Sequence, residues 1–289
     1  MATALITGCS SGFGQLTAFE FARHGYRVYA TVRVPAAVEN LERAAASAKL
    51  GIEVLPLDVT DRDAINPAVQ QVIDDVGSID VLVNNAGVTA VGALEDIDEN
   101  EIERVMQTNF FGPVWLTRAV LPQMRAQGGG HIIMVSSLSA LVGLPGESVY
   151  AASKAALELA AEGLRHEVDR FNIHVSVVEP GLFNTGMPEK IAAAGEYPRA
   201  SAYSELIAFL VDRMQRNLGS GDDPQRVAEL LVRIAGEQAP GFRYPAGAQA
   251  EQVVEKIGQL QESDRASFIR EVHGTAWWSD GDARPGEPA

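Results

Sequence analysis

The sequence predicts an α/β fold, a doubly wound parallel sheet of about seven strands with helices on both faces. Three observations predict it. Short apolar runs recur along the chain, separated by amphipathic stretches of helical length. The runs are apolar on both faces, as strands covered by helices on each side require. The regular β-α alternation supplies the long crossovers that parallel pairing needs.

ATALIT opens the chain as the first strand, and YRVYATVR, GIEVLPLD, DVLVNNAG, HIIMVSS and IHVSVVEP follow. Between them, helices are expected at Gln15–His24, Ala36–Ala48, Arg62–Asp75, Glu99–Arg125 and Val149–Phe171. After Pro180 the rhythm changes. Residues 181–198 are broken by glycine and proline, and read as a flap over a pocket. Helical patterns return at Ala202–Asn217 and Pro224–Gln238; GFRYPAG reads as a last short strand, with a helix from Ala250 to Gln261 behind it. No internal repeat or linker is visible, so residues 1–289 are expected to form one domain with a variable loop at 182–217. A polar, Pro/Gly-rich tail is expected at 274–289, pinned by Trp277 and Trp278 to a surface or a partner subunit.

Composition narrows the function classes. Apolar residues make up 46% and charged residues 21%, as in a globular protein with a substantial core. The net charge of −15 disfavours nonspecific binding to nucleic acid or to an anionic membrane. A lone cysteine, Cys9, rules out an internal disulfide and fits a reducing compartment. The five histidines are scattered without metal-ligand spacing, so no metal is expected. No run approaches a membrane span and no targeting segment precedes the first strand, so the expected location is cytoplasmic.

Residues 7–14, TGCSSGFG, follow the first strand and open the first helix. There Gly8, Ser10, Ser11, Gly12, Phe13 and Gly14 form a turn whose backbone N–H groups approach a pyrophosphate at a helix N-terminus. That strand–turn–helix context predicts a Rossmann-type dinucleotide site. The second strand ends in Thr31-Val32-Arg33, so Val32 stands where an acid would bond the ribose 2′-hydroxyl of NAD. Arg33 suits the 2′-phosphate of NADP instead. NADP(H) is therefore favoured, with NAD(H) as the alternative.

The stretch Ser137–Lys154, SLSALVGLPGESVYAASK, places a hydroxyl, a phenol and an ammonium in one short run. On a helix, Tyr150 and Lys154 share a face one turn apart. The ammonium is expected to pull the phenol's pKa from about 10 toward the working pH, making Tyr150 a general acid or base. Ser137, at the end of the strand HIIMVSS, falls at the carboxyl edge of the sheet, where such folds bind ligands.

These motifs together resemble the short-chain dehydrogenase/reductase family, over nearly all of residues 2–245. Thr7–Gly14, Asn84–Gly87 (NNAG), Asn109, Ser137 with Tyr150 and Lys154, and Pro180-Gly181 stand in family order. The resemblance implies that Tyr150 exchanges a proton with the substrate oxygen, which Ser137 also holds. It implies that Lys154 lowers the tyrosine pKa and holds the nicotinamide ribose, while Asn109 holds a water linking Lys154 to solvent. By the same resemblance Asp58 bonds the adenine amino group beside Val59, and Asn85, Ala86 and Gly87 lie against the adenosine ribose. Pro180, Gly181 and Thr185 would hold the carboxamide.

Residues 9–11 and 29–33 look most like members that reduce steroid or retinoid ketones and related apolar carbonyls, without the membrane anchor frequent among vertebrate retinoid enzymes. The apolar Leu182, Met187, Ile191, Leu206 and Phe209 suggest a greasy pocket; a core role explains the last two equally well. The expected activity is hydride transfer between NADP(H) and a ketone, aldehyde or secondary alcohol, with a homodimer or homotetramer formed through the helices at 99–125 and 149–171. Two alternatives remain: an NAD-dependent epimerase or dehydratase sharing the Tyr-x-x-x-Lys pair, and a nucleotide-sensing regulator without chemistry.

Overall fold

The computed structural model describes residues 1–185, 200–217 and 221–285. Its strands are β1 (Thr3–Ile6), β2 (Arg27–Val32), β3 (Ile52–Pro56), β4 (Val81–Asn84), β5 (Gly130–Val135), β6 (Ile173–Pro180) and β7 (Arg243–Ala246). They pair in parallel in the order β3-β2-β1-β4-β5-β6-β7. Leu5 faces Tyr29 on one side and Leu82 on the other, which fixes the register at the sheet centre. The strand order reverses at β1 and β4, and a crevice opens beyond their carboxyl ends.

On one face lie α1 (Gly12–Arg23), α2 (Pro35–Ser47) and α8 (Gln225–Ala235); on the other lie α3 (Arg62–Val76), α5 (Gly112–Gln127) and α6 (Ser148–Val168). Strand residues alternate between these layers. Ala4, Ile6, Val28 and Val83 pack with Phe21, Leu41, Val227 and Leu231. Leu5, Tyr29, Leu82 and Ile132 pack with Ile65, Val72, Leu116 and Leu157. Each such fully buried aliphatic side chain contributes roughly 1.5–3 kcal/mol. Asp61 caps α3, its Oδ1 accepting from the Asp63 and Ala64 N–H groups at 3.1 and 3.3 Å. Gly77, at φ 77°, ends that helix in the left-handed region.

Two expectations need correction. The helix expected across 99–125 is interrupted: α4 (Glu99–Met106) passes through a π-helical turn, Gln107–Phe111, into α5. That wide turn carries Asn109 inward, where its amide finds partners off the helix. The chain end, expected as a polar, Pro/Gly-rich tail pinned by Trp277 and Trp278, carries more helix than that reading gave it. α9 (Ala248–Ile257) is followed by α10 (Glu262–His273), absent from the sequence reading, and by the short α11 (Ala276–Asp280).

Trp277 is 7% exposed and meets Phe209 of α7 (Ser204–Asn217) edge-on, with ring centroids 5.5 Å apart. Arg284 pairs with Asp212 at 2.6 Å. The end of the chain is thus pinned to the chain itself. Leu206 and Phe209 belong to that apolar cluster. Met187 and Ile191 lie outside the described residues. Among the described residues no helix is long and apolar enough to cross a membrane.

Candidate active site

A cavity of about 330 Å³ lies beyond the carboxyl ends of the strands. Gly8, Ser10, Ser11, Gly12, Phe13, Gly14, Arg33, Asp58, Val59, Asn85, Ala86 and Gly87 line it, with Ser137, Tyr150, Lys154, Pro180, Gly181 and Thr185. Asn109 is set back from this surface, fully buried behind Gly87.

The glycine turn is built for close approach. Gly8 has φ 71°, and a Cβ there would sit 2.8 Å from the Ala86 Cα. A Cβ on Gly14 would collide with the Gly8 carbonyl and the Asn85 amide. Thr7 locks NNAG against this turn: its Oγ1 accepts from the Asn85 and Ala86 N–H groups at 3.0 and 2.9 Å. Asn85 Nδ2 returns a bond to the Thr7 carbonyl at 2.8 Å, so this side chain braces the turn. Cys9 fills a closed space behind it; burial pushes its thiol pKa up, which keeps it unreactive.

At the N-terminus of α1 the Ser11 side chain makes no capping bond and the first turn carries no acid. Its N–H groups and positive dipole end therefore face the cavity uncompensated, a setting for a phosphate. Val32 is fully buried while Arg33 is exposed at the cavity edge. These features fit a pyrophosphate with an additional phosphate near Arg33. Asp58 lines the cavity while its Oδ1 accepts from the Thr60 N–H and hydroxyl at 2.9 and 2.8 Å.

The catalytic candidates converge where β5 and α6 meet. Lys154 is 4% exposed, and its Nζ donates to the Val135 carbonyl at 2.8 Å. It lies 5.9 Å from the centre of the Tyr150 ring. Burial lowers the Lys154 pKa to about 8, against the upward pull of Glu158. The tyrosine departs from expectation. Burial pushes its phenol up to about 12, with the Ser137 hydrogen bond pulling down and the Glu147 charge pushing up. The protein alone holds Tyr150 protonated, because desolvation of the phenolate outweighs the Ser137 hydrogen bond.

Asn109 joins both halves of the site. Its Nδ2 donates to the Val88 carbonyl at 2.8 Å and to Ser153 Oγ at 3.0 Å, and its Oδ1 accepts from the Val88 N–H at 2.8 Å.

A second cavity, about 240 Å³, opens on the other side of Tyr150. Its walls are largely apolar, including Leu138, Val142, Leu144, Val253, Phe268, Ile269 and Val272. Leu182, expected in a greasy pocket, lines both cavities. α10 supplies three of the apolar wall residues, Phe268, Ile269 and Val272, none of which the sequence reading had placed.

Two further sets of residues were missed. Glu147, three positions before Tyr150, lines the apolar cavity; the i, i+3 spacing was the available signal. Glu158, four positions after Lys154, is 2% exposed and pairs with Arg243, which also bonds Glu179 at 2.8 Å and Glu162 at 3.1 Å. The Ser136 hydroxyl donates to Glu158 at 2.6 Å, so this network fixes the strand end that leads to Ser137.

The short chain dehydrogenase family matches residues 2–195. A relative from Bacteroides thetaiotaomicron named 3-ketodihydrosphingosine reductase is 37% identical, covering 84% of this chain and 87% of its own. Retinol dehydrogenase 8 of Bos taurus is 38% identical over 83% of this chain and 80% of its own. A crystal structure of a short-chain dehydrogenase from Streptomyces avermitilis superposes with a TM-score of 0.76 at 34% identity, covering 97% of each chain. A metagenomic short-chain oxidoreductase in complex with NADP matches with a TM-score of 0.68 at 27% identity, over 85% of this chain and 96% of its own. With the glycine turn, the paired cavities and the Ser137–Tyr150–Lys154 cluster in place, the chain belongs to the short-chain dehydrogenase family of NAD(P)-dependent oxidoreductases.

Proposed function

We propose that the protein is an NADP(H)-preferring reductase of an apolar ketone or aldehyde, reversible as a secondary alcohol dehydrogenase. One observation carries this reading. Ser137, Tyr150, Pro180, Gly181, Leu182 and Met214 border both cavities, so the nucleotide side and the apolar side meet at the tyrosine. When bound, the nicotinamide supplies or accepts the hydride.

The chain's own residues do the rest. Tyr150 holds its proton at neutral pH and gives it to the substrate oxygen during reduction; it takes the proton back in oxidation. Ser137 Oγ donates a hydrogen bond to the same oxygen as charge develops there. Lys154 keeps a cation in the wall beside the phenolate that remains. Asn109 acts as a positioning residue, tying Val88 to α6. Arg33 at the cavity edge, and buried Val32 in the place of an acid, support NADP(H) over NAD(H). The NADP held by the metagenomic relative supports the same choice. The names of the two relatives support a long apolar substrate.

We also read the outer faces of α5 and α6 as a pairing surface for a dimer or tetramer; Leu159 on α6 is 69% exposed. Light scattering showing monomer alone at micromolar concentration removes that part. The activity is tested by following NADPH absorbance with a panel of ketones and aldehydes of graded apolarity. The expected result is consumption that rises with chain length and is slower with NADH. A protein that binds NADPH yet consumes it with no member of the panel is not this enzyme.

A further inference from the structure

Behind the nucleotide cavity, three carboxylates gather round one guanidinium. Arg243 on β7 pairs with Glu158 and Glu162 of α6 and with Glu179 of β6. Glu158 and Glu179 are almost wholly inaccessible, whereas the Glu162 side chain is half exposed and screened by water. The buried part of the set therefore holds two carboxylates and one guanidinium. Buried carboxylates need compensating charge. The next cation along α6 is Lys154, one turn before Glu158 and buried with it.

Each member of this set adjoins a residue of the site. Ser136, whose hydroxyl donates to Glu158 at 2.6 Å, precedes Ser137; Glu179 precedes Pro180-Gly181; Lys154 itself lines the nucleotide cavity. Lys154 Nζ bonds the Val135 carbonyl at 2.8 Å, so Glu158 acts on it through space. The other groups facing Lys154 bring no net charge. Tyr150 is protonated, Asn109 is neutral, and on α4 Glu101 and Arg104 pair with each other. Among the described residues, Glu158 is the charge that opposes the effect of burial on the ammonium.

We propose that Glu158 is a positioning residue for proton transfer: through space it keeps Lys154 an ammonium, and through Ser136 and Arg243 it sets the strand ends that carry Ser137 and Pro180-Gly181. This deepens the activity proposed above and rests on its use of Lys154. Without the Glu158 charge, desolvation alone governs Lys154, and the cation beside the phenolate is lost nearer neutral pH.

Glu158→Gln isolates the charge, since the amide oxygen can still accept from Ser136. The NMR shift of Lys154 Cε in isotopically labelled lysine, followed against pH, reads its protonation without any turnover. Lys154→Arg assigns the signal among those of Lys49, Lys190 and Lys256. The wild-type midpoint is expected at about 8 and the Glu158→Gln midpoint about one unit lower. With a ketone that the wild type reduces, the alkaline fall of kcat/KM should move down by the same amount. Glu158→Asp, which keeps the charge, should hold both midpoints within about 0.3 unit of the wild type. Glu158→Met gives the same readout as the amide where Glu158→Gln does not fold.

A Lys154 midpoint that stays put in the uncharged variants, or that falls equally in Glu158→Asp, overturns the assignment whatever the activity does. A moved midpoint with an unmoved kcat/KM profile shows that Glu158 acts on the lysine without serving the reaction, and overturns the positioning role. If no ketone is reduced but the midpoint moves, the enzyme reading fails and the coupling of Glu158 to Lys154 stands.

Discussion

Asn109 and Val88 exchange two hydrogen bonds, each 2.8 Å long, one from the Val88 N–H and one to the Val88 carbonyl. A third bond reaches Ser153 on α6, so one buried amide ties the segment after Gly87 to the helix bearing Tyr150 and Lys154. Asn109→Leu leaves both Val88 backbone groups without their partner, at about 1–3 kcal/mol each. Urea unfolding should show a loss of about 2 kcal/mol or more. Asn109→Asp, which retains the acceptor, should lose less.

Arg243 stands between Glu158 and Glu179, both nearly inaccessible to solvent. Arg243→Met would leave two buried carboxylates unpaired, and should destabilise by about 3–5 kcal/mol. Burial already holds the Glu179 pKa above its ordinary value, so the folded state keeps that proton more tightly than the unfolded chain. Its stabilising effect is therefore present at low pH and lost as pH rises through the folded pKa. The deficit of the variant should shrink on acidification toward about pH 5. A deficit independent of pH would mean that the arginine acts through packing alone.

His131 is 4% exposed and accepts no added proton easily; burial lowers its pKa to about 3, with His174 adding to the shift. Ser176 donates to the Gly241 carbonyl at 2.8 Å, so the His131 Nε2–H donates to Ser176 Oγ at 2.9 Å in the neutral tautomer. The unfolded chain takes this proton near pH 6.5, well above the folded value. Stability is thus intact above that pH and falls toward pH 3, by up to about 1.4 kcal/mol per pH unit. His273, lowered to about 4 by burial and by Arg213, adds a second loss of the same sign. His131→Gln should flatten the acid limb of a stability–pH curve by about one proton's slope.

Arg33→Ala should weaken NADPH by about tenfold or more and leave NADH within about threefold. Fluorescence titration of both nucleotides measures this. Equal losses would remove Arg33 from the 2′-phosphate.

Much of this site was legible because its parts are local. The glycine turn follows directly on β1, Tyr150 and Lys154 share one face of α6, and Pro180-Gly181 closes β6. What was not legible depends on distance and environment. The Glu158–Arg243 pair joins positions 85 apart, which no local pattern encodes. α10 carries its few apolar residues toward a cavity and buries none of them fully, so its periodicity was faint. The spacing of Tyr150 and Lys154 announced a cation near a phenol, but the depth of burial that reverses the pKa shift is a tertiary property.

The most direct measurement is the turnover of Tyr150→Phe set against its affinity for NADPH. If the phenol is the proton donor, kcat with a ketone that the wild type reduces should fall by about 10²–10⁴-fold. The NADPH Kd should stay within about threefold of the wild type. Turnover within about tenfold of the wild type, with NADPH still bound, would contradict proton transfer by Tyr150.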